Sequence, residues 1–281
     1  MKQKTIQELL EFSIINLDKP SGITSFGCAD KVRKILRDLG VKKTGHTGTL
    51  DPGVTGVLPI LINRACKLSN YFMKKDKEYV GKMKIHKDIS EEKLKSEMEK
   101  FLGKIIQKPP KKSRVKRVPR NRIINKFRIV SFDKTSRIVE FHSDVQAGTY
   151  IRKLISDLGD KIGGAHMTEL RRTRAGIFKE KDSHTLDEIY NAVQAYKSEK
   201  EQALKIILIP AEIIKQIITS VQVKEESPKR LLNGKPLMKS DLKNKIPNSD
   251  KISVFHKENF IGIYRVVCEK DVVARPEFVR N

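Results

Sequence analysis

An α+β fold is the prediction for this 281-residue chain, and three observations make it. Apolar residues recur at every second position in some stretches and at every third or fourth in others, and the two kinds are interleaved. A hydrophobic fraction of 38% is enough, at this length, to bury a core. From about residue 218 helical spacing gives way to short alternating runs bounded by turns, so a small β-rich module should follow a larger domain. A prior of roughly 150 residues per domain also gives about two domains. The expected division is 1–217 and 218–281, with residues 1–12 packing on the tail module.

The elements follow in order. Ser13-Ile-Ile-Asn-Leu-Asp-Lys19 reads as a short strand ended by the turn Pro20-Ser-Gly22. Thr24 or Ser25 caps a helix with Ala29, Val32, Leu36 and Leu39 on one face, stopped by Gly40. A loop crowded with Gly, Thr and Pro runs from Thr44 to Gly56 and leads into the buried run Val57–Ile62. Tyr79–Ile85 alternates as a strand does. Ser90 opens a helix whose face is Leu94, Met98, Phe101 and Leu102, with Gly103 at its end. Lys108–Arg128 is an exposed loop leading into a strand. Ile138–Val145 alternates again, and Gly148-Thr149 precedes a helix with Ile151, Leu154, Ile155 and Leu158 on one face. Thr185-Leu-Asp-Glu188 is a capping box, followed by Leu186, Ile189, Val193 and Tyr196 at helical spacing. In the tail, Ile252–Phe255, Phe260–Val267 and Val272–Ala274 are strands, with turns at Asn233-Gly234 and Pro247-Asn248.

Charge narrows the function. With 58 Lys+Arg against 34 Asp+Glu the formal charge is +24. That excess points to a polyanionic partner, nucleic acid before an anionic membrane surface. No apolar run approaches the ~18 residues of a spanning helix; the longest, Val57–Ile62 and Ile206–Ile209, are core-sized. The polar start fits neither a secretory nor a transit segment, so a cytoplasmic location is expected. Cys28, Cys66 and Cys268 are odd in number and form no CxxC pair, which argues against a disulfide framework or a cysteine metal site.

The chemistry-bearing segment is Lys43-Thr-Gly-His-Thr-Gly-Thr-Leu-Asp-Pro-Gly-Val-Thr-Gly56. It supplies neither the Lys-Ser/Thr pair of a phosphate-binding loop nor a GxGxxG fingerprint. What remains is one acid, Asp51, among glycines at 45, 48, 53 and 56 that allow close backbone approach to a ligand. Pro52 restricts Asp51 to extended backbone and so fixes where its carboxylate points. Read alone, Asp51-Pro52-Gly53 is a common turn, and His46 an ordinary surface histidine.

Two further segments change that weighting. Gly148-Thr-Tyr-Ile-Arg152 puts a tyrosine and an arginine at a helix start, and Lys77-Glu-Tyr79 puts a tyrosine at a strand start. With the Asp51 loop and Gly164-Ala-His-Met-Thr-Glu-Leu-Arg-Arg-Thr-Arg-Ala-Gly176, they resemble in order and composition the motifs of the TruB-type pseudouridine synthases. The combination looks like the dyskerin branch, an archaeal-like catalytic subunit of box H/ACA ribonucleoproteins. The resemblance runs from about Ile6 to Asp187 and continues more weakly into the tail.

It implies a pseudouridine synthase catalytic fold, with a mixed and largely antiparallel sheet, flanking helices and a small C-terminal PUA-like β-barrel. Asp51 matches the nucleophile, and His46 the histidine that enters the space left by a flipped uridine. Tyr79 matches the tyrosine that stacks on the target base and takes part in proton transfer. Arg152 matches the arginine that pairs with the aspartate, with Tyr150 beside it, and Leu170 the leucine packed on the flipped base. Isomerising uridine involves no redox step and no activated donor, so no cofactor and no metal are expected. An ionised carboxylate can act as a covalent nucleophile, and a base that must leave its stack needs an aromatic platform.

Lys108–Arg128 holds ten Lys/Arg and no acid. Lys111, Lys112, Arg114, Lys116, Arg117 and Arg120 are candidate phosphate contacts. In stand-alone members of the family this region is longer, so its shortness favours a guide RNA of box H/ACA type as the selector of the substrate RNA, together with small H/ACA core proteins. The tail resembles a PUA module through Leu232-Asn-Gly-Lys-Pro-Leu237 and Phe260–Val266, and Gly234 is the one binding residue carried over. The expected Pro-Gly after that glycine is missing. Lys229, Arg230 and Lys235 are expected to serve the guide, and Arg171, Arg172 and Arg174 to face RNA beside the Asp51 loop. The competing readings are a stand-alone tRNA enzyme of the same chemistry and a silent RNA-binding scaffold.

Overall fold

The structure, a computed structural model, describes residues 4–110, 115–243, 247–267 and 269–281. In chain order the first elements are α1 (Ile6–Glu11), β1 (Ser13–Lys19), α2 (Ser25–Ile35), β2 (Thr44–His46), β3 (Thr55–Ile62), α3 (Ser69–Met73), β4 (Lys77–Ile85) and α4 (Glu91–Glu99). Next come β5 (Gly103–Gln107), β6 (Arg120–Asp133), β7 (Ile138–Val145), α5 (Ile151–Ile162), β8 (Ala165–Ala175) and β9 (Phe178–Lys179). The helices α6 (Leu186–Lys197) and α7 (Gln202–Ile207) and the short strand β10 (Ile209–Pro210) follow. The tail holds β11 (Ser220–Gln222), α8 (Pro228–Leu232), β12 (Leu237–Met238), β13 (Lys251–His256), β14 (Asn259–Val266) and β15 (Val272–Val279).

Local chemistry explains the boundaries. The Thr24 hydroxyl accepts the Gly27 N–H to start α2, and Gly40 ends the following turn at φ +91°. Thr185 and Glu188 close the expected capping box on α6. Strands β1 to β10 form one sheet in the order β10-β1-β3-β8-β4-β7-β6-β5, with β2 on β3 and β9 on β8. Its pairs are antiparallel except β3 with β8, which run parallel. Along β3, Leu58, Ile60 and Ile62 enter the main core, while Val57 and Leu61 enter a second one on the opposite face. Burial of both faces is why Val57–Ile62 is continuously apolar rather than alternating.

The tail strands form a second sheet, β11-β13-β14-β15-β12, around Val221, Leu231, Leu237, Ile252, Val254 and Tyr264. A Val223–Leu242 bridge and the bonds Lys224 N to Asp241 O (2.9 Å) and Lys243 N to Gln222 O (3.0 Å) link its two edges. The five strands therefore curl toward a closed barrel. Phe12 lies between the two sheets, stacked on Phe260 at 5.4 Å with the Arg280 guanidinium 4.6 Å from its centroid. The same layer continues through Phe255, Phe260 and Ile263 into Val57, Leu61 and Phe178 of the large sheet. Ile6, Leu9 and Leu10 of α1 belong to the main core instead.

One helix face differs from expectation. Helix α4 ends at Glu99, and Gly103, at φ +80°, opens β5 rather than closing the helix. Leu102 is consequently exposed instead of lying on the apolar face.

Candidate active site

The Asp51 loop is held from below and from both sides. Ser25, the first residue of α2, exchanges two bonds with Leu50: its hydroxyl donates to the Leu50 carbonyl (2.9 Å) and accepts the Leu50 N–H (2.7 Å). Lys19, wholly buried at the end of β1, donates to the carbonyls of Pro20, Pro52 and Val54 at 2.7–2.9 Å. Gly22 N–H donates to Pro52 O, and Val54 N–H to Asp51 O at 3.0 Å. Leu50 and Val54 are buried on either side of an exposed Asp51. Two buried anchors and a satisfied backbone thus leave the carboxylate as the part of the turn presented to solvent.

Arg152, the second residue of α5, reaches it from another element. Its Nη2 is 3.6 Å from Asp51 Oδ2, with the two side chains 60% and 65% exposed. A pair this open to water contributes little stability.

A layer of cations lies beneath the loop. Arg172 on β8 is buried, donates to Val57 O (2.7 Å) and Gly48 O (3.1 Å), and hydrogen-bonds the Tyr79 side chain. Burial pulls its guanidinium below the usual range, and Tyr79 partly offsets the pull. Gly56 sits at φ +99° where β3 meets β8, against the Arg172 backbone. Lys77, the first residue of β4, is buried and donates to the carbonyls of Met73 (2.7 Å) and Lys75. Burial first, and Arg172 second, pull its ammonium down to about 7. The unfolded chain therefore binds a proton that the folded one lacks between about pH 7 and the ordinary lysine value, and stability rises with pH there. Wild type should gain stability relative to Lys77→Met between about pH 7 and pH 10, with a constant difference below about pH 7; denaturant midpoints across that range check it.

Of the residues read from sequence, Asp51, His46, Tyr79, Arg152 and Tyr150 gather around this loop and the start of α5. His46, paired with Ile60 across β2 and β3, is half-buried. Burial and the Arg172 cation hold its imidazole below its ordinary value, so it is neutral at pH 7. Tyr79 is buried on β4, opposite Arg172 on one side and Ser143 on the other. Leu170, opposite Gly81, is half-buried against the main core. Lys116 and Arg117 are exposed, and Arg120 donates to Lys116 O at 3.4 Å. Lys111, Lys112 and Arg114 lie outside the described residues. In the tail, Gly234 is exposed at φ +76°, as are Lys229 and Lys235.

The arginine run on β8 does not form an RNA-facing set. Arg171 makes a two-pronged bond to Asp18 (3.0 and 2.8 Å) and also pairs with Glu180. Arg174 is held by Glu78 (2.8 Å) and Asp144 (3.2 Å). Arg172 points inward, as above. All three are committed to partners within the chain: Arg171 and Arg174 to carboxylates at Asp18, Glu180, Glu78 and Asp144, and Arg172 to backbone carbonyls. Arg230 is likewise bonded to Asp241 and, at 2.8 Å, to Pro236 O, rather than free for a guide. Sequence reading also missed the supports Lys19, Ser25 and Lys77, whose partners are backbone atoms and carry no motif.

Comparison with known proteins supplies the family. Residues 33–90 match the TruB family pseudouridylate synthase (N terminal domain), and residues 152–214 the tRNA pseudouridylate synthase B C-terminal domain. The chain is 36% identical to the "Probable tRNA pseudouridine synthase B" of Pyrobaculum aerophilum, over 98% of this chain and 83% of that protein. It is 41% identical to the protein of the same name from Nanoarchaeum equitans, over 82% of this chain and 65% of that one. Among solved structures, it matches a chain of "Crystal Structure of a Cbf5-Nop10-Gar1 Complex" with TM-score 0.89 and 33% identity, covering 99% of this chain and 88% of that one. A chain of "Structure of H/ACA RNP bound to a substrate RNA containing 2'-deoxyuridine" gives TM-score 0.88 and 31% identity, covering 99% and 88%. No helix among the described residues is long and apolar enough to cross a membrane. With identity above 30% along nearly the whole chain, and an aspartate held out of a buttressed loop toward an arginine, the chain belongs to the TruB family of pseudouridine synthases, isomerases of uridine in RNA.

Proposed function

We propose that the chain isomerises guide-selected uridines, ribosomal RNA first among its targets, as the catalytic subunit of an H/ACA ribonucleoprotein with small core proteins as partners. Asp51 is the nucleophile in this reading. Its carboxylate attacks the flipped nucleotide and bonds to carbon, the N1–C1′ bond breaks, the base turns and a C5–C1′ bond forms; the bond from Asp51 to carbon then breaks to return the free carboxylate, while C5 loses a proton and N1 gains one. Arg152 orients Asp51. Tyr79, fixed by Arg172, lies under the base and serves proton transfer, with Tyr150 and Leu170 lining the pocket and neutral His46 entering the vacated stack. Residues 218–281 act as a PUA-like guide-binding domain on a catalytic domain of residues 1–217, with Gly234 at the RNA.

The observation that carries the guided reading is the 99% coverage, tail included, at TM-score 0.89 and 33% identity by a chain from a Cbf5-Nop10-Gar1 complex. The names of the relatives favour tRNA as the alternative substrate. Conversion of a short target RNA, with guide and core proteins added one at a time, separates the two. Guide-dependent conversion is expected. Rapid, complete conversion of bare tRNA by the chain alone would replace the guided reading with the stand-alone one.

The basic loop should help neutralise phosphates. Replacing Lys116 and Arg117 with serine is expected to reduce the slope of log affinity against log salt by about 0.7–0.9 for each phosphate left without its cation, without changing which uridine is converted. Salt titrations of RNA binding measure it.

A further inference from the structure

Helix α5 has no side chain of its own to cap its start: the N-cap residue is Tyr150, whose side chain makes no capping bond. Its backbone is met instead from strand β5. The Gln107 side chain, 2% exposed, accepts the Tyr150 N–H at 3.0 Å through Oε1 and donates to the Tyr150 carbonyl at 3.3 Å through Nε2. One amide thus pairs both backbone groups of one residue, as a neighbouring strand would. Two residues further on is Arg152, whose one partner among the described residues is Asp51. With no second anchor, the place of that guanidinium depends on where α5 begins.

Gln107 stands at a second junction as well. It is the last residue of β5 and lies opposite Arg120 on β6, so the pair closes the base of the basic loop. The turn just before Tyr150 sits against β6: Arg122 lies alongside Gly148, and Gln146 N–H donates to Ile123 O at 2.8 Å. The buried amide is therefore the polar link between the root of a cationic loop and the helix turn that presents the arginine.

We propose that Gln107 is a positioning residue for the isomerisation, setting where Arg152 meets Asp51 and coupling that position to the base of the basic loop. This rests on the roles given above to Asp51 and Arg152. Gln107 touches neither reacting atom. Without its amide, the Tyr150 N–H loses its partner and the Tyr150 carbonyl keeps only the helical bond from Leu154 N–H at 3.0 Å; the first turn of α5 shifts to satisfy the freed N–H, and the guanidinium moves with it. A displacement of about 1 Å at a catalytic group costs on the order of 100-fold in rate.

The test uses the full chain with guide and core proteins, measuring single-turnover conversion at saturating RNA and RNA affinity separately. Gln107→Leu, of similar volume and without hydrogen bonds, is expected to slow conversion by about 10–100-fold while Kd changes by less than about threefold. Gln107→Glu keeps the acceptor for Tyr150 N–H and loses the donor, so an intermediate rate is expected. In an Arg152→Lys background Gln107→Leu should add much less than it costs in wild type, since both act on one group. A rate for Gln107→Leu within about twofold of wild type, a loss confined to Kd, or fully multiplicative effects would overturn the proposal. Should Gln107→Leu fail to fold, Gln107→Glu carries the same comparison. Inactive Asp51→Asn beside fully active Gln107→Leu sinks only this proposal; active Asp51→Asn sinks the reading it rests on.

Discussion

Asp51→Asn is expected to lower conversion by at least about 10⁴-fold while RNA affinity stays within about threefold of wild type. The substitution keeps the volume of the side chain and the turn that carries it. Leu50 and Val54 remain buried, and the bonds from Ser25, Lys19 and Gly22 run to backbone atoms that asparagine leaves untouched. What disappears is a charged oxygen able to form a covalent bond to carbon. Binding is spread over the basic surface, to which Asp51 contributes only repulsion of phosphate. Loss of rate without loss of affinity also separates an enzyme from the silent-scaffold reading, for which the substitution would change nothing measurable. Single-turnover conversion and filter or fluorescence binding of the same RNA supply both numbers.

Gly56→Ala should be the most damaging small substitution in the loop region. A Cβ there would lie 2.2 Å from Arg172 O and 2.9 Å from Arg172 N, both backbone atoms, at a residue with φ +99°. The positive φ alone costs a side chain about 1–2 kcal/mol, and the clash is relieved only by parting β3 from β8. A destabilisation of about 3 kcal/mol or more is expected, lowering Tm by roughly 6–12 °C in a chain of this size. Activity should fall with it, because the parted strands carry the Arg172 bonds to Val57 and Gly48. Gly53→Ala is the control: its Cβ would meet nothing within 4 Å, and its effect should stay within about 0.5 kcal/mol. Thermal unfolding of the two variants side by side makes the comparison.

These cases also show what is legible in a single chain. Asp51 stands out because glycines and a proline surround the only acid in its loop, and those residues act locally. Strands β4 and β7 were readable because one face is buried and the other is not, which leaves a period of two in the residues themselves. Strand β8 escaped, although it lies at the centre of the sheet. Its residues Glu169, Arg171, Arg172 and Arg174 are charged, and the places of the three arginines depend on Asp18, Glu78, Asp144 and backbone carbonyls far away in the chain. The same blindness turned three internally paired arginines into an apparent RNA surface. Lys19 and Gln107 were missed for the converse reason: their partners are carbonyls and N–H groups, which every residue owns, so no pattern of side chains marks them. The pairing of Arg152 with Asp51 came from resemblance to a family, since about a hundred residues separate them and nothing local announces their meeting.

In the proposed reaction it is the placement of one carboxylate opposite Arg152, and not merely its charge, that does the chemistry. Asp51→Glu tests it most directly, because the acid survives and moves outward by one methylene. Single-turnover conversion of a target uridine, with guide and core proteins present and RNA saturating, is predicted to be about 100-fold or more slower than wild type at unchanged Kd. A rate within about threefold of wild type would contradict the claim, since the buttressed turn would then have no catalytic consequence.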